Sequence, residues 1–290
     1  DHMKGMKDPA DAVFRLAETG YLADAGLGTA TFLSIAMNRP LLLEGEPGTG
    51  KTALAEAISE TLQLPLIRLQ CYEGIDVSQA LYEWDFSRQL LHLRAHAEHG
   101  TDAAQVADLL YDERFLLSRP ILRALRESPV VLLIDEIDRA DDEFEAFLLE
   151  VLSTNAVTVP ELGTIRAAEA PIVVLTSNRT RELHDALKRR CLYHWIDHPP
   201  IEREMEIVRT RQPEVGERLA AQVVTLVHRL RADPATIKPP GVAETLDWVR
   251  ALGLLQIDYL ADPAVPDTLG TLTKNHDDAA RARLLLGVAG

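Results

Sequence analysis

Cysteine is nearly absent. Only Cys71 and Cys191 occur among 290 residues, far apart and in no paired motif. A disulfide-rich secreted scaffold is excluded, and a reducing, cytoplasmic home is expected. Long apolar runs are missing as well. No stretch approaches the ~20 residues a helix needs to cross a bilayer, and no signal-peptide pattern opens the chain. Excess positive charge is the third absence. Lys and Arg number 30 against 45 Asp and Glu, a formal net charge of −15, which argues against nucleic acid as a main partner. Asp1-His2-Met3 reads as a tag remnant, with the native start at Met3 or Met6 and a disordered start expected over residues 1–8.

Apolar residues make up 47% of the chain, ordinary for a globular protein, and the length leaves room for two domains. Apolar spacing over residues 9–38 predicts two helices, the second stopped by Pro40. Leu41-Leu42-Leu43 is a short apolar strand, followed by a Gly-rich turn and a helix Thr52–Leu62. Further strands are expected at Leu64–Leu69, Val130–Ile134 and Ile172–Thr176. Strands without polar alternation are buried on both faces, so the pattern predicts an α/β fold with a parallel sheet between helices. Beyond His198-Pro199-Pro200 the character changes. Ile201–Arg231, Val242–Leu254 and Asp277–Leu286 are helical patterns, and no convincing strand follows. The expected division is a core over 9–198 and a small all-helical domain over 199–290.

Gly45-Glu46-Pro47-Gly48-Thr49-Gly50-Lys51-Thr52 satisfies G-x-x-x-x-G-K-[ST] in full. Its glycines let backbone N–H groups turn inward around phosphates, and the next helix adds its positive end, where Ala53 also lies. Lys51 would reach the β- and γ-phosphates of ATP, and the Thr52 hydroxyl would bind Mg²⁺. Val130-Val131-Leu132-Leu133-Ile134-Asp135-Glu136 carries two carboxylates to the carboxyl edge of the sheet. Asp135 would hold Mg²⁺, and Glu136 would orient and polarise the attacking water. The third buried strand ends in Thr176-Ser177-Asn178, where an amide can hold that water or report the γ-phosphate. Leu187-Lys188-Arg189-Arg190-Cys191 follows. A guanidinium there could stabilise charge at a neighbour's γ-phosphate, or simply cap a helix.

In this order the motifs resemble the AAA+ ATPases over about residues 25–200, with the trailing helices similar to that family's lid. More narrowly, "DEIDRADDEFEAFLLEVLS" resembles the MoxR family. Val157–Ile165, with a turn near Glu161–Thr164, looks like a family hairpin, and "KPPGVAETLDWVRAL" resembles the CoxD-like group beside carbon monoxide dehydrogenase. The resemblance implies that Lys51 and Thr52 form the phosphate-loop pair, Asp135 and Glu136 the Walker B acids, and Asn178 sensor 1. It puts the arginine finger at Arg190 by preference or at Arg189. A lid arginine has no match, since Pro240-Gly241-Val242 stands there, so sensor 2 is unassigned. It further implies a hexameric ring that binds ATP/ADP and Mg²⁺ and remodels a client metalloenzyme, with a von Willebrand factor A-type adaptor. Two alternatives are an ATP-binding switch or scaffold with little hydrolysis, and a DNA-directed AAA+ motor.

Three features have a blander explanation. His92, His96 and His99 share a helical face, and Cys191, His194 and His198 are spaced for zinc, yet an exposed helix end and a strand account for them. The acidic run Asp141-Asp142-Glu143-Glu145 reads as a solvated helix start.

Overall fold

Short apolar runs, each ended by a turn former or a polar edge, build the centre of the molecule. The computed structural model describes residues 5–97 and 110–287. Its strands are β1 (Leu41–Gly45), β2 (Leu66–Gln70), β3 (Tyr82–Trp84), β4 (Leu116–Ser118), β5 (Val131–Asp135), β6 (Ala156–Val159), β7 (Gly163–Arg166), β8 (Ile172–Ser177) and β9 (Leu192–Ile196). Five of them form one parallel sheet in the order β2-β5-β8-β1-β9. Alternate side chains of the central strands feed two apolar cores. Leu42, Leu132, Ile134, Val173 and Leu175 pack to one face, and Leu41, Leu43, Val131, Leu133 and Val174 to the other. This is the doubly covered α/β sheet that the unalternated runs predict.

The edges depart from that pattern. β2 begins at Leu66 rather than Leu64 because Gln63 turns left-handed at φ 55° and the Leu64 N–H closes the preceding helix on the Ser59 carbonyl. Arg68 and Gln70 then face outward, as an edge strand allows. β9 lies at the other edge, fixed in register by Leu41↔Leu192 and Gly45↔Ile196. β6 and β7 make the expected hairpin, and β3 with β4 makes a second antiparallel pair that the sequence pattern does not signal. Within the start expected to be disordered, residues 5–8 are described. Met6 is 4% exposed in the core, and the Asp8 side chain caps the helix Pro9–Glu18 by accepting from the Asp11 N–H.

From Ile201 onward every described element is helical. The helices are Ile201–Arg211, Glu217–Ala232, Val242–Leu254, Leu269–Leu272 and His276–Leu286. Pro213 lacks an N–H and splits the long helical pattern of Ile201–Arg231 into two helices. These helices share a third apolar core, including Val223, Val227, Leu230, Trp248 and Leu252, that has no residue in common with the other two. At its inner edge the buried carboxylate of Glu204 accepts two bonds from Arg231, at 2.6 and 2.9 Å, and one from the Thr245 hydroxyl at 2.9 Å. His228 lies 2.7 Å away. A charge at 0% exposure is tolerable only with such partners.

Trp248 is wholly buried, and its indole N–H donates to the Thr268 hydroxyl at 2.7 Å. Trp248→Ala should destabilise this helical region by about 3–5 kcal/mol. Urea denaturation followed by far-ultraviolet circular dichroism would measure it, and an unchanged midpoint would show that the third core does not depend on its largest side chain.

Candidate nucleotide site

The loop after β1 is shaped by glycines that nothing else could replace. A Cβ on Gly45 would meet the Ile196 carbonyl oxygen at 2.2 Å, and Gly48 and Gly50 sit at φ +77° and +92°. The helix Lys51–Leu62 starts directly after Gly50 and aims its free N–H groups back at the loop. Lys51 is 6% exposed and folds into the loop. Its Nζ donates to the carbonyls of Gly45 at 2.9 Å and Glu46 at 2.6 Å, with the Thr49 hydroxyl at 3.3 Å. Burial, only partly countered by Glu46, Asp138 and Asp135, lowers the Lys51 pKa to about 8. The Tyr21 hydroxyl donates to the Gly50 carbonyl at 3.1 Å, and burial raises its pKa, so it stays a donor.

The two acids follow from strand pairing. Asp135 ends β5 at 2% exposure. One carboxylate oxygen accepts from the hydroxyls of Thr52 at 3.0 Å and Thr176 at 2.5 Å. The other accepts from Arg68 at 2.5 Å. Glu136 then turns left-handed, φ 55° and ψ 51°, and its N–H donates to the Thr176 hydroxyl at 2.8 Å. A non-glycine residue is uncommon in that region, and the left-handed turn ends the strand at Asp135. The Glu136 carboxylate is one-third exposed and lies 3.4 Å from Arg139.

One cleft of about 1470 Å³ gathers Pro47 to Ala53, Asp135, Glu136, Thr176 and Asn178. Gly45 and Glu46 stand behind it and hold Lys51 through their carbonyls. The opposite wall comes from Tyr21 and Leu22 and from the C-terminal helices, including Arg203, Ile207, Arg211, Arg231, Val242 and Leu246. The mixture of apolar walls with convergent polar groups suits a nucleotide. Arg189 and Arg190 are not brought to this cleft in the single chain. Arg189 is exposed at a helix end, while Arg190 donates to the carbonyls of Leu152 at 2.9 Å and Ser153 at 3.4 Å. Arg39 ties that helix end down through the carbonyls of Arg189 at 2.7 Å and of Arg190 and Cys191 at 3.3 Å.

Sequence reasoning misses Arg68, Thr176, Tyr21 and the arginines of the C-terminal helices. The sheet order brings Arg68 and Thr176 to Asp135, while Tyr21, from the loop before the second helix, and the arginines of the C-terminal helices line the cleft from outside the sheet. The acidic run also differs from its solvated reading. Asp141 does cap its helix, accepting from the Phe144 N–H at 2.9 Å, but Glu145 is 1% exposed beside Arg181. Among the described residues Asp142, Glu145 and His184 are the only such group whose ligand atoms converge, so Cys191, His194 and His198 do not form a zinc site. Burial pushes the Cys191 thiol up to about 12. Of the other histidine trio, His99 and the side chain of His96 lie outside the described residues.

Residues 40–191 match the family described as AAA domain (dynein-related subfamily). The chain belongs to that AAA family. Among relatives, an uncharacterized protein of Staphylococcus epidermidis is 26% identical over 223 residues, covering 74% of this chain and 76% of that protein. One of Staphylococcus saprophyticus is 28% identical over 168 residues, covering 56% and 57%. Among solved structures, a RuvB variant of Thermotoga maritima aligns with a TM-score of 0.48 and 16% identity, over 98% of this chain and 74% of that one. AAA domains in general bind nucleotide and hydrolyse it. Among the described residues no helix is long and apolar enough to cross a membrane.

Lys51 gives the AAA cleft a pH signature. Its folded pKa near 8 lies below its ordinary 10.5, so the unfolded chain binds more protons between those values. Stability of the nucleotide-free chain therefore rises as pH climbs from about 8 to 10.5. Lys51→Met should therefore gain in melting temperature relative to the parent most at or below pH 7, and that relative gain should fade above pH 10. A gain that does not change with pH would show that Lys51 is not strained by burial.

Proposed function

We propose that this chain hydrolyses Mg-ATP as one subunit of a hexameric AAA+ ring and uses the energy to remodel a client enzyme. The observation that carries the proposal is the convergence of Lys51, Thr52, Asp135 and Glu136 on one cleft, with the Thr52 hydroxyl 3.0 Å from the Asp135 carboxylate. The residues fit a triphosphate. The loop is a cradle of backbone with no space for a Cβ at Gly45, and its buried ammonium is held there by the carbonyls of Gly45 and Glu46. Thr52 and Asp135 would hold Mg²⁺, which supplies charge to neutralise phosphate oxygens. Lys51 binds the terminal phosphates. Glu136 orients a water and draws on its proton. Asn178, beside Glu136 in the cleft, positions that water as sensor 1.

The C-terminal helices, taken as a lid over 199–290 hinged at Pro199-Pro200, close the cleft of a core over 9–198. Their separate apolar core supports that division. The finger acts in trans and is supplied by Arg190 or Arg189, since neither reaches its own cleft. The segments that resemble MoxR and the CoxD-like group support a chaperone role in metal or cofactor insertion, with a von Willebrand factor A-type adaptor and a client metalloenzyme. Two free, buried cysteines suit a cytoplasmic setting. One observation favours a second reading, an ATP-binding switch with little turnover. The lid carries Pro240-Gly241-Val242 where a sensing arginine would stand.

Glu136→Gln should lower turnover by about 10²–10⁴-fold with ATP affinity retained, while Lys51→Ala should abolish binding. Calorimetry and phosphate release would measure both. No heat on titrating saturating Mg-ATP into the chain would sink the proposal, and binding without turnover in an assembled ring would select the switch. For the finger, removal of the acting arginine should cost on the order of 10³-fold without loss of binding. Mixing that variant with Lys51→Ala chains should restore turnover, because each lacks what the other supplies. If neither Arg189→Ala nor Arg190→Ala is rescued by mixing, the finger lies elsewhere.

A further inference from the structure

The phosphate loop and the lid meet at two glycines. The Gly48 carbonyl accepts from the Val242 N–H at 2.8 Å and from the Ala243 N–H at 3.4 Å. These are the first free N–H groups of the helix Val242–Leu254. The contact is backbone on backbone. A Cβ on Gly241 would lie 2.6 Å from the Gly48 Cα and 2.8 Å from its carbonyl carbon and oxygen, and a Cβ on Gly48 would lie 2.9 Å from the Gly241 Cα. Gly48 also sits at φ +77°, so glycine is needed there twice over.

Both sides of the seam are held. Glu244 accepts from the Gly241 N–H at 2.8 Å and Thr245 donates to the Gly241 carbonyl at 3.1 Å. Arg231 donates to the Pro240 carbonyl at 2.7 Å while its other nitrogens grip Glu204. The side chain of Arg231 is only 8% exposed, so it works as a fastener of the lid segment. In a trans peptide the carbonyl and the following N–H point in opposite directions. A Gly48 carbonyl drawn toward the lid therefore turns the Thr49 N–H away from the lid, toward the concave side of the loop.

We propose that the backbone seam between Gly48 and Gly241-Val242, fastened by Arg231, is the device by which this lid pre-sets the phosphate loop and senses its occupant, in place of a sensing arginine. Val242 and Gly241 are positioning residues. They act through the Gly48–Thr49 peptide and touch no reacting atom. The proposal rests on the nucleotide reading of the cleft, and its test separates the two.

Val242→Pro is the cleanest probe. Proline suits the first helical position, and Gly241 before it is already extended, at φ −87° and ψ −177°. The change deletes the N–H that bonds to Gly48, sets the ring Cδ against the Gly48 carbonyl and exchanges a buried side chain on the cleft wall, so Val242→Ala, which keeps the N–H, is the control and should leave amide exchange and Mg-ADP affinity near the parent's. In the nucleotide-free chain, amide exchange of the segment around Thr49 and Gly50 should speed up, and Mg-ADP affinity by calorimetry should fall about tenfold. Gly241→Ala, which pushes the two backbones apart, should shift both readings the same way. It also carries the test if Val242→Pro does not fold by circular dichroism. Unchanged exchange and unchanged Mg-ADP affinity in a folded Val242→Pro or Gly241→Ala chain would overturn the seam. If the parent chain itself gives no heat with Mg-ADP, the nucleotide reading fails, while the exchange comparison still decides whether lid and loop are coupled.

Discussion

The carboxylate of Asp135 is the point on which the cleft is built. It is a charge at 2% exposure at the end of a wholly buried strand, so it must be fully engaged. Its partners come from three other elements. Thr52 belongs to the helix after the phosphate loop, Thr176 to β8 and Arg68 to β2. Any slip of one strand against another would strand this charge, so the parallel register and the acid hold each other. The Thr176 hydroxyl, by accepting from the Glu136 N–H, also carries the register of β8 into the left-handed turn at Glu136.

Much of this was legible in the sequence because it is local. Leu41-Leu42-Leu43 before the glycines and Val130–Ile134 before the acids identify central strands, since a strand covered on both faces needs apolar residues at every position. The phosphate loop is one contiguous segment, and its shape follows from glycines and a helix start. The edges were less legible. β2 alternates, so nothing in Leu66–Gln70 marks its first residue, and β3 and β4 are three-residue pieces without periodicity. The reach of Arg68 to Asp135 depends on β2 lying beside β5, which is a fact of strand order. Glu145 illustrates the converse error. An acid among acids reads as solvated, yet the loop after β8 lays Arg181 over it.

Charge shows the same gap between whole and part. The chain carries −15, and a net count speaks to partners of the whole surface. The cleft nonetheless collects Lys51, Arg203, Arg211 and Arg231 on its walls, beside the carboxylates of Asp24, Asp135, Glu136 and Asp197. A field is set by the nearest charges in a low-dielectric recess, so where each cation stands on these walls matters more than the net count of the chain. The arginines among these lie on the helices Ile201–Arg211 and Glu217–Ala232, outside the motif segments, so no motif announces them.

The energetic separation of the lid gives the Gly48 seam its leverage. The helices beyond Ile201 bury their own core, so moving them as a body leaves Trp248, Val249 and Leu252 packed. What such a motion breaks is the contact across the cleft, where the seam is two backbone bonds and a glycine pair. Net values of about 1 kcal/mol per bond are small against a core and comparable to the differential binding of a ligand. A seam of that strength is strong enough to bias the loop toward its binding shape and weak enough to part when the occupant leaves. A side-chain clamp through a buried ion pair would be harder to open, because parting it leaves a desolvated charge behind. In this chain that kind of pair, Arg231 with Glu204, is kept within the C-terminal helices, where it would not break if they moved as a body.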